Sequence, residues 1–305
     1  MKDNRRIRLI IAIILCAAVL SACGAYLIYN YVILPRRIAA DNQHYAEMYN
    51  PDATAQPTAV PQPVLEAEST LAPAGPDDVQ LGTPGPDTLV YAASTLPPVQ
   101  ESFAELLGVN PETAAFLQLG KTEGLPVVQR ENDNEYYLTH SFDDTESDAG
   151  CLFIDGANWL FPRDECLYVY GHNMKNGEMF GRLTRMSTVD GLIERSPVYF
   201  DTIYEDGIYV PFACFALSAD DNDNDYFRLR RFTFTEESFN LYTGELKKRS
   251  ILDIPVDAVY GDKLLILVTC NYSIDDGRFA VACRQLREDE TAEGAMRLVK
   301  LATEK

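Results

Sequence analysis

A chain of 305 residues, 47% of them apolar, is long enough for one or two ordinary domains with a real core. Its formal charge of −20 and isoelectric point near 4.5 exclude a sequence-independent nucleic-acid binder, which needs a basic face, and argue against attachment to anionic lipid by charge. The seven cysteines form no CxxC pair and no Cys/His cluster with zinc spacing, so no metal or other cofactor is expected, and the odd count points to free thiols.

In chain order, residues 1–8 carry Lys2, Arg5, Arg6 and Arg8, and residues 9–34 are apolar apart from a few weakly polar side chains and Asn30. About 20 apolar residues cross a bilayer, so 9–34 reads as a transmembrane signal anchor. The heavier basic flank precedes it and only Arg36 and Arg37 follow. That bias puts residues 1–8 in the cytoplasm and the body outside, on a single-pass cell-membrane protein. A rival reading takes Leu20-Ser21-Ala22-Cys23 as a lipoprotein box with Cys23 lipidated, although the apolar run continues past it through Ala25–Tyr29. Residues 35–98 read as an extracellular linker: ten of the 17 prolines fall between Pro51 and Pro98, and such a segment cannot bury enough apolar surface to offset its ordering entropy.

Residues 99–305 have the pattern of a mostly β domain with few helices. Strand-like runs are Phe116–Leu119, Leu125–Val128, Cys151–Ile154, Leu167–Tyr170, Val198–Phe200, Ile208–Leu217, Leu264–Thr269 and Phe279–Cys283. Helical stretches are Ser102–Leu107, Met179–Arg185 and Glu236–Arg249. The last has acidic residues at its start and Lys247-Lys248-Arg249 at its end, the order that suits the helix dipole.

Histidine is scarce: only His44, His140 and His172 occur, and His44 sits just before the proline-rich segment. His172 follows an apolar strand directly, where functional side chains are often presented. Cys270 ends another apolar strand, and Asp275-Asp276-Gly277-Arg278 turns back into Phe279–Cys283, holding Arg278 near Cys270. A Cys, a His and an Arg make sense together. The thiolate is the nucleophile, imidazole can hold its proton and protonate a leaving amine, and guanidinium can stabilise a developing oxyanion. Each residue taken singly is more often a packing or solvated residue, and only the combination carries weight. The acidic run Asp220–Asp225 lacks the Gly and terminal Glu of an EF-hand loop and reads as a solvated loop.

The combination resembles class B sortases. Tyr170-Gly171-His172-Asn173-Met174, then Met179-Phe180-Gly181, then Leu267-Val268-Thr269-Cys270, then Gly277-Arg278 follow the family's motifs in order, and the likeness extends over roughly 100–287. Departures are Ile266 where many members have Thr, and Ala115-Phe116 where Gly-Trp is common. The resemblance implies a closed eight-stranded β-barrel with a few short helices, one of them inserted at 236–249, and a catalytic domain over 99–305. It implies a cysteine transpeptidase with Cys270 as nucleophile, His172 as acid/base and Arg278 beside the oxyanion. Tyr170, Thr269 and Asn271 are the expected substrate contacts. Implied partners are secreted proteins with a C-terminal sorting signal, cleaved after Thr, and an acceptor amine of a peptidoglycan precursor or a pilin. His140 is read as structural. Cys151, Cys166, Cys214 and Cys283 are read as core thiols, with a Cys151–Cys166 bridge as an alternative. Two functional alternatives stay open: a thiol hydrolase that passes the acyl group to water, and a non-catalytic membrane-tethered binding domain.

Overall fold

The computed structural model describes residues 2–52, 96–218, 227–271 and 277–305, with side chains for all of these but 2–12, 270 and 271. Most of the expected linker, the Asp220–Asp225 run and the Asp275-Asp276 turn lie outside the described residues.

The chain opens with helix α1 (Lys2–Ile28), one π-helical turn (Tyr29–Ile33) and α2 (Leu34–Met48), a continuous rod. From Ile13 onward it is long and apolar enough to cross a membrane. The helix does not give way to linker at residue 35. The wider π turn comes just before Pro35, which has no N–H to give to a regular helical ladder. Beyond it, Ile38, Asn42 and Tyr45 fall on one helical face and are buried against the barrel. Tyr49, one turn on, stacks on Phe116 with ring centroids 4.1 Å apart.

After a short 3₁₀ turn (Glu101–Phe103) come α3 (Ala104–Val109), β1 (Thr113–Leu119), β2 (Leu125–Val128), β3 (Leu152–Ile154) and β4 (Cys166–Tyr170). A 3₁₀ helix (Phe180–Ser187) and α4 (Val189–Glu194) follow, then β5 (Val198–Thr202), β6 (Ile208–Ser218), α5 (Glu236–Arg249), β7 (Leu252–Asp253), β8 (Leu264–Asn271), β9 (Gly277–Gln285), α6 (Ala292–Val299) and β10 (Thr303–Glu304). Eight strands close a barrel in the order β1-β2-β3-β4-β8-β9-β6-β5, and β7 pairs with β10 apart from it. Two neighbour pairs are parallel, β2–β3 and β4–β8; the other six are antiparallel.

All eight barrel strands match runs expected from the sequence. Leu264 to Val268 is apolar and buried at every position, as a strand covered on both faces requires. The expected helix at Met179–Arg185 is the 3₁₀ helix Phe180–Ser187. α5 has the expected bounds and a full capping box: Thr235 Oγ1 accepts from Ser238 N–H at 3.2 Å while Ser238 Oγ accepts from Thr235 N–H at 2.9 Å. Helices α4 and α6 and the β7–β10 pair are not among the elements expected from the sequence. Cys151 and Cys166 are both free and buried, so the bridge alternative is not realised.

Candidate active site

β4 and β8 run side by side in parallel, from Cys166 against Leu264 to Tyr170 against Val268. The pairing carries on past the strand end. Gly171 N–H donates to the Val268 carbonyl at 3.2 Å, and Thr269 Oγ1 donates to the Gly171 carbonyl at 2.7 Å. One residue further on each chain stand His172 and Cys270. On the other side of β8, Cys270 is the direct antiparallel partner of Arg278 in β9. The three positions therefore form one row across β9, β8 and the exit of the chain from β4, on strands that lie about 5 Å apart in such a wall.

Glycines make the close passage possible. A Cβ on Gly171 would run into Leu152 and the ring of Phe180, and one on Gly181 would run into the Met174 carbonyl. The loop after His172 closes on itself. Phe180 N–H donates to the His172 carbonyl at 2.9 Å, Asn173 and Met179 form an isolated bridge, and Met179 takes φ 49° to complete the turn. The Tyr-Gly-His-Asn-Met and Met-Phe-Gly motifs are thus the two ends of one tight loop.

The His172 ring is held from a second side. Its Nε2 lies 2.7 Å from the Leu138 carbonyl. A carbonyl only accepts, so Nε2 carries a proton and Nδ1 is the nitrogen left to gain or lose one. Leu138 ends a 3₁₀ turn (Tyr136–Leu138). Arg278 is half-buried and its Nη1 donates to the Gly277 carbonyl at 3.1 Å.

The three expected substrate contacts are placed differently from one another. Asn271 ends β8 opposite Gly277. Tyr170 is half-buried, and its hydroxyl donates to Asp155 Oδ2 at 3.0 Å. Asp155 has no exposed surface, and its carboxylate also accepts from Arg230 Nε at 2.7 Å, Asn134 Nδ2 at 3.2 Å and Ala157 N–H at 3.1 Å. Burial first, and then the Asp155 charge, push the Tyr170 phenol far above its ordinary range, so it stays a neutral donor. Arg230 lies on the approach to α5, so Asp155 ties the inserted helix to the strand that carries His172. Thr269 is only 2% exposed. Its hydroxyl is used inside the wall, on the Gly171 carbonyl.

His140 stacks on Tyr136 with centroids 3.9 Å apart, and its Nδ1 donates to the Tyr136 carbonyl at 3.0 Å. Two contributors carry no mark in the sequence reading. The Leu138 carbonyl is a backbone group and leaves no residue signature. Asn42 of α2, whose Nδ2 donates to Glu178 Oε2 at 3.0 Å, falls where a linker is expected. The spacing Ile38, Asn42, Tyr45, Tyr49 is a helical stripe that could have revealed it.

No family model matches the chain. Sortase B of Listeria monocytogenes is 26% identical over 181 residues, covering 58% of this chain and 70% of the relative. The solved structure of Clostridium perfringens sortase B superposes with a TM-score of 0.54 at 25% identity, covering 60% of this chain and 98% of that one. A Staphylococcus aureus sortase B–substrate complex gives a TM-score of 0.56 at 22% identity, covering 63% and 87%, a likeness of fold.

Proposed function

We propose that this chain, a class B sortase in sequence and fold, uses Cys270 as nucleophile, His172 as acid/base and Arg278 as the cation beside the reacting carbonyl. The observation that carries this reading is the row of the three positions across β4, β8 and β9.

The chemistry follows from the groups. Moving a proton from a free thiol to a free imidazole is uphill by roughly two pK units, about 2.7 kcal/mol. Pairing of thiolate with imidazolium and the nearby guanidinium offset that difference. The Cys270 sulfur adds to the backbone carbonyl carbon of a Thr, and Arg278 faces the negative charge that develops on oxygen. The intermediate collapses with the C–N bond breaking, and His172 Nδ1 gives its proton to the leaving amine. A thioester remains. An incoming amine gives a proton to His172, attacks the thioester and expels the thiolate, so one amide bond is exchanged for another. The Leu138 carbonyl holds Nε2–H throughout, which leaves Nδ1 for the proton transfers.

The proposed substrate is a secreted protein with a C-terminal sorting signal, cleaved after Thr, and the acceptor is an amine of a peptidoglycan precursor or a pilin. Residues 1–8 are proposed to lie in the cytoplasm, the apolar helix to cross the membrane, 35–98 to join it to the barrel, and the catalytic domain 99–305 to lie outside. Support comes from the long apolar helix and the basic residues ahead of it. Tyr170 and Asn271 remain proposed groove contacts, and Thr269 is assigned a positioning role instead.

The test is cleavage of a panel of fluorogenic sorting-signal peptides by the full-length chain in detergent micelles, with and without added amine, beside Cys270→Ala. Cleavage after Thr that the variant abolishes, and that amine diverts into a ligated product, is the expected result. Cleavage that amine leaves undiverted points to a hydrolase. A Cys270→Ala variant as active as the parent overturns the assignment.

A further inference from the structure

His172 is held by two loops, and one element outside the barrel touches both. The first loop, from His172 to Gly181, is closed by Phe180 N–H on the His172 carbonyl. The second leads on from Leu138, whose carbonyl receives the His172 ring. Helix α2 packs on the first through Asn42 Nδ2, which donates to Glu178 Oε2 at 3.0 Å, and through Ile38, which joins Met179 in the core. It packs on the second through Tyr45, whose ring meets that of Phe142 at 4.8 Å. These are built contacts: Asn42 is 5% exposed and the Glu178 side chain 13%. Glu178 is braced further by Arg182 Nη2 at 3.5 Å, and its backbone N–H donates to Asn176 Oδ1 at 3.1 Å.

We infer that α2 is a strap for the active site, with Asn42 and Glu178 as positioning residues that fix the loop bearing His172. The inference rests on the catalytic reading of His172 given above. Asn42 touches neither substrate nor the reacting atoms. It acts through Glu178 and the 172–181 loop on where the imidazole sits. Small misplacements of an acid/base group lower turnover steeply while leaving ground-state binding little changed. The loop's turn conformation, with Met179 at φ 49°, needs support from its surroundings to persist.

The experiment uses the full-length chain in micelles and four proteins: the parent, Asn42→Asp, Ile38→Ala, and the double variant Asn42→Asp with Glu178→Gln. Asn42→Asp sets two carboxylates against each other. The double variant restores the bond with donor and acceptor exchanged. Hydrogen exchange over 172–181 reads the strap without any need for activity, the Phe180 amide being the reporter. The expected result is faster exchange in Asn42→Asp and Ile38→Ala, with return to parental protection in the double variant. Peptide turnover should follow: kcat down about tenfold in Asn42→Asp with KM within about twofold, and recovered in the double variant. Parental exchange and parental kcat in both single variants overturn the strap, and so does a double variant that recovers neither. Protection lost and regained while the parent itself turns over no peptide upholds the strap and overturns the catalytic reading beneath it.

Discussion

The hydroxyl of Thr269 and the carbonyl of Gly171 meet at 2.7 Å inside the barrel wall, one residue before Cys270 on one strand and one before His172 on the next. This bond sets the spacing between the proposed nucleophile and its acid/base partner where the β4 ladder has already ended.

Thr269→Val keeps the shape and removes the donor. The buried Gly171 carbonyl then lacks its partner, a loss of about 1–3 kcal/mol. Thermal or denaturant unfolding should show that loss, and peptide turnover should fall about tenfold through the altered His172 placement. Thr269→Ser, which keeps the hydroxyl, should stay close to the parent in both measurements. A Val variant with parental kinetics would show that the spacing is set elsewhere.

Gly171→Ala forces a methyl group against Leu152 and Phe180. Overpacking of this kind costs about 1–3 kcal/mol. Because the displaced parts are the strand exit before His172 and the ring that closes its loop, activity should drop more than stability does. Comparing unfolding midpoints with kcat for the same protein checks the difference.

The thiols of the barrel should divide sharply in reactivity. Burial raises Cys151 and Cys166 to about 12 and Cys214 to about 11, and pushes Cys283 up as well. At pH 8 a thiol titrating near 12 is thiolate in only about one part in ten thousand. Alkylation of the native protein followed by mass spectrometry should leave these four unmodified until denaturant is added. Under the proposed assignment, the rapid modification in the barrel is lost in Cys270→Ala.

Acid should loosen the end of β9 away from the site. Arg284, with no exposed side-chain surface, reaches Glu290 Oε1 through Nη2 at 2.7 Å. The hydrogen bond from Arg284 holds the Glu290 carboxyl below its ordinary 4.5. A carboxyl depressed by folding contributes stability above its unfolded value and loses that contribution as pH falls through the folded one. Stability should therefore decline as pH drops below about 4.5, and Glu290→Gln should be less stable at neutral pH with a flatter acid limb. Chemical unfolding across pH 3–7, chosen to bracket ordinary carboxyl titration, measures both.

Much of this architecture is legible in the sequence. The eight barrel strands announce themselves as short apolar runs, and α5 through its capping residues and its charge order. The row His172, Cys270, Arg278 is legible because each residue sits at the end of such a run, so strand adjacency and site adjacency are one fact. What escapes is of three kinds. Leu138 contributes a carbonyl, and every residue has one. α2 is disguised by Pro35 and by the proline-rich stretch that follows, although Ile38, Asn42, Tyr45 and Tyr49 keep helical spacing. Thr269 shows a third case, a polar residue next to the proposed nucleophile whose hydroxyl is spent on the Gly171 carbonyl inside the wall.

The course of the long helix also sets where its apolar part leaves the barrel. α2 meets the barrel first at Ile38, which lies with Leu125 and Met179 at the His172 end, and runs from there toward Phe116 and Ser102, where Tyr49 and Asn50 dock. Phe116 pairs with Pro126, the neighbour of Leu125, so α2 crosses the strands at this level, and its N-terminal extension leaves the barrel beside Met179. From Ile33 to Ile38 a helix rises only about 8 Å. The helix that is long and apolar enough to cross a membrane therefore first reaches the barrel beside the loop that follows His172.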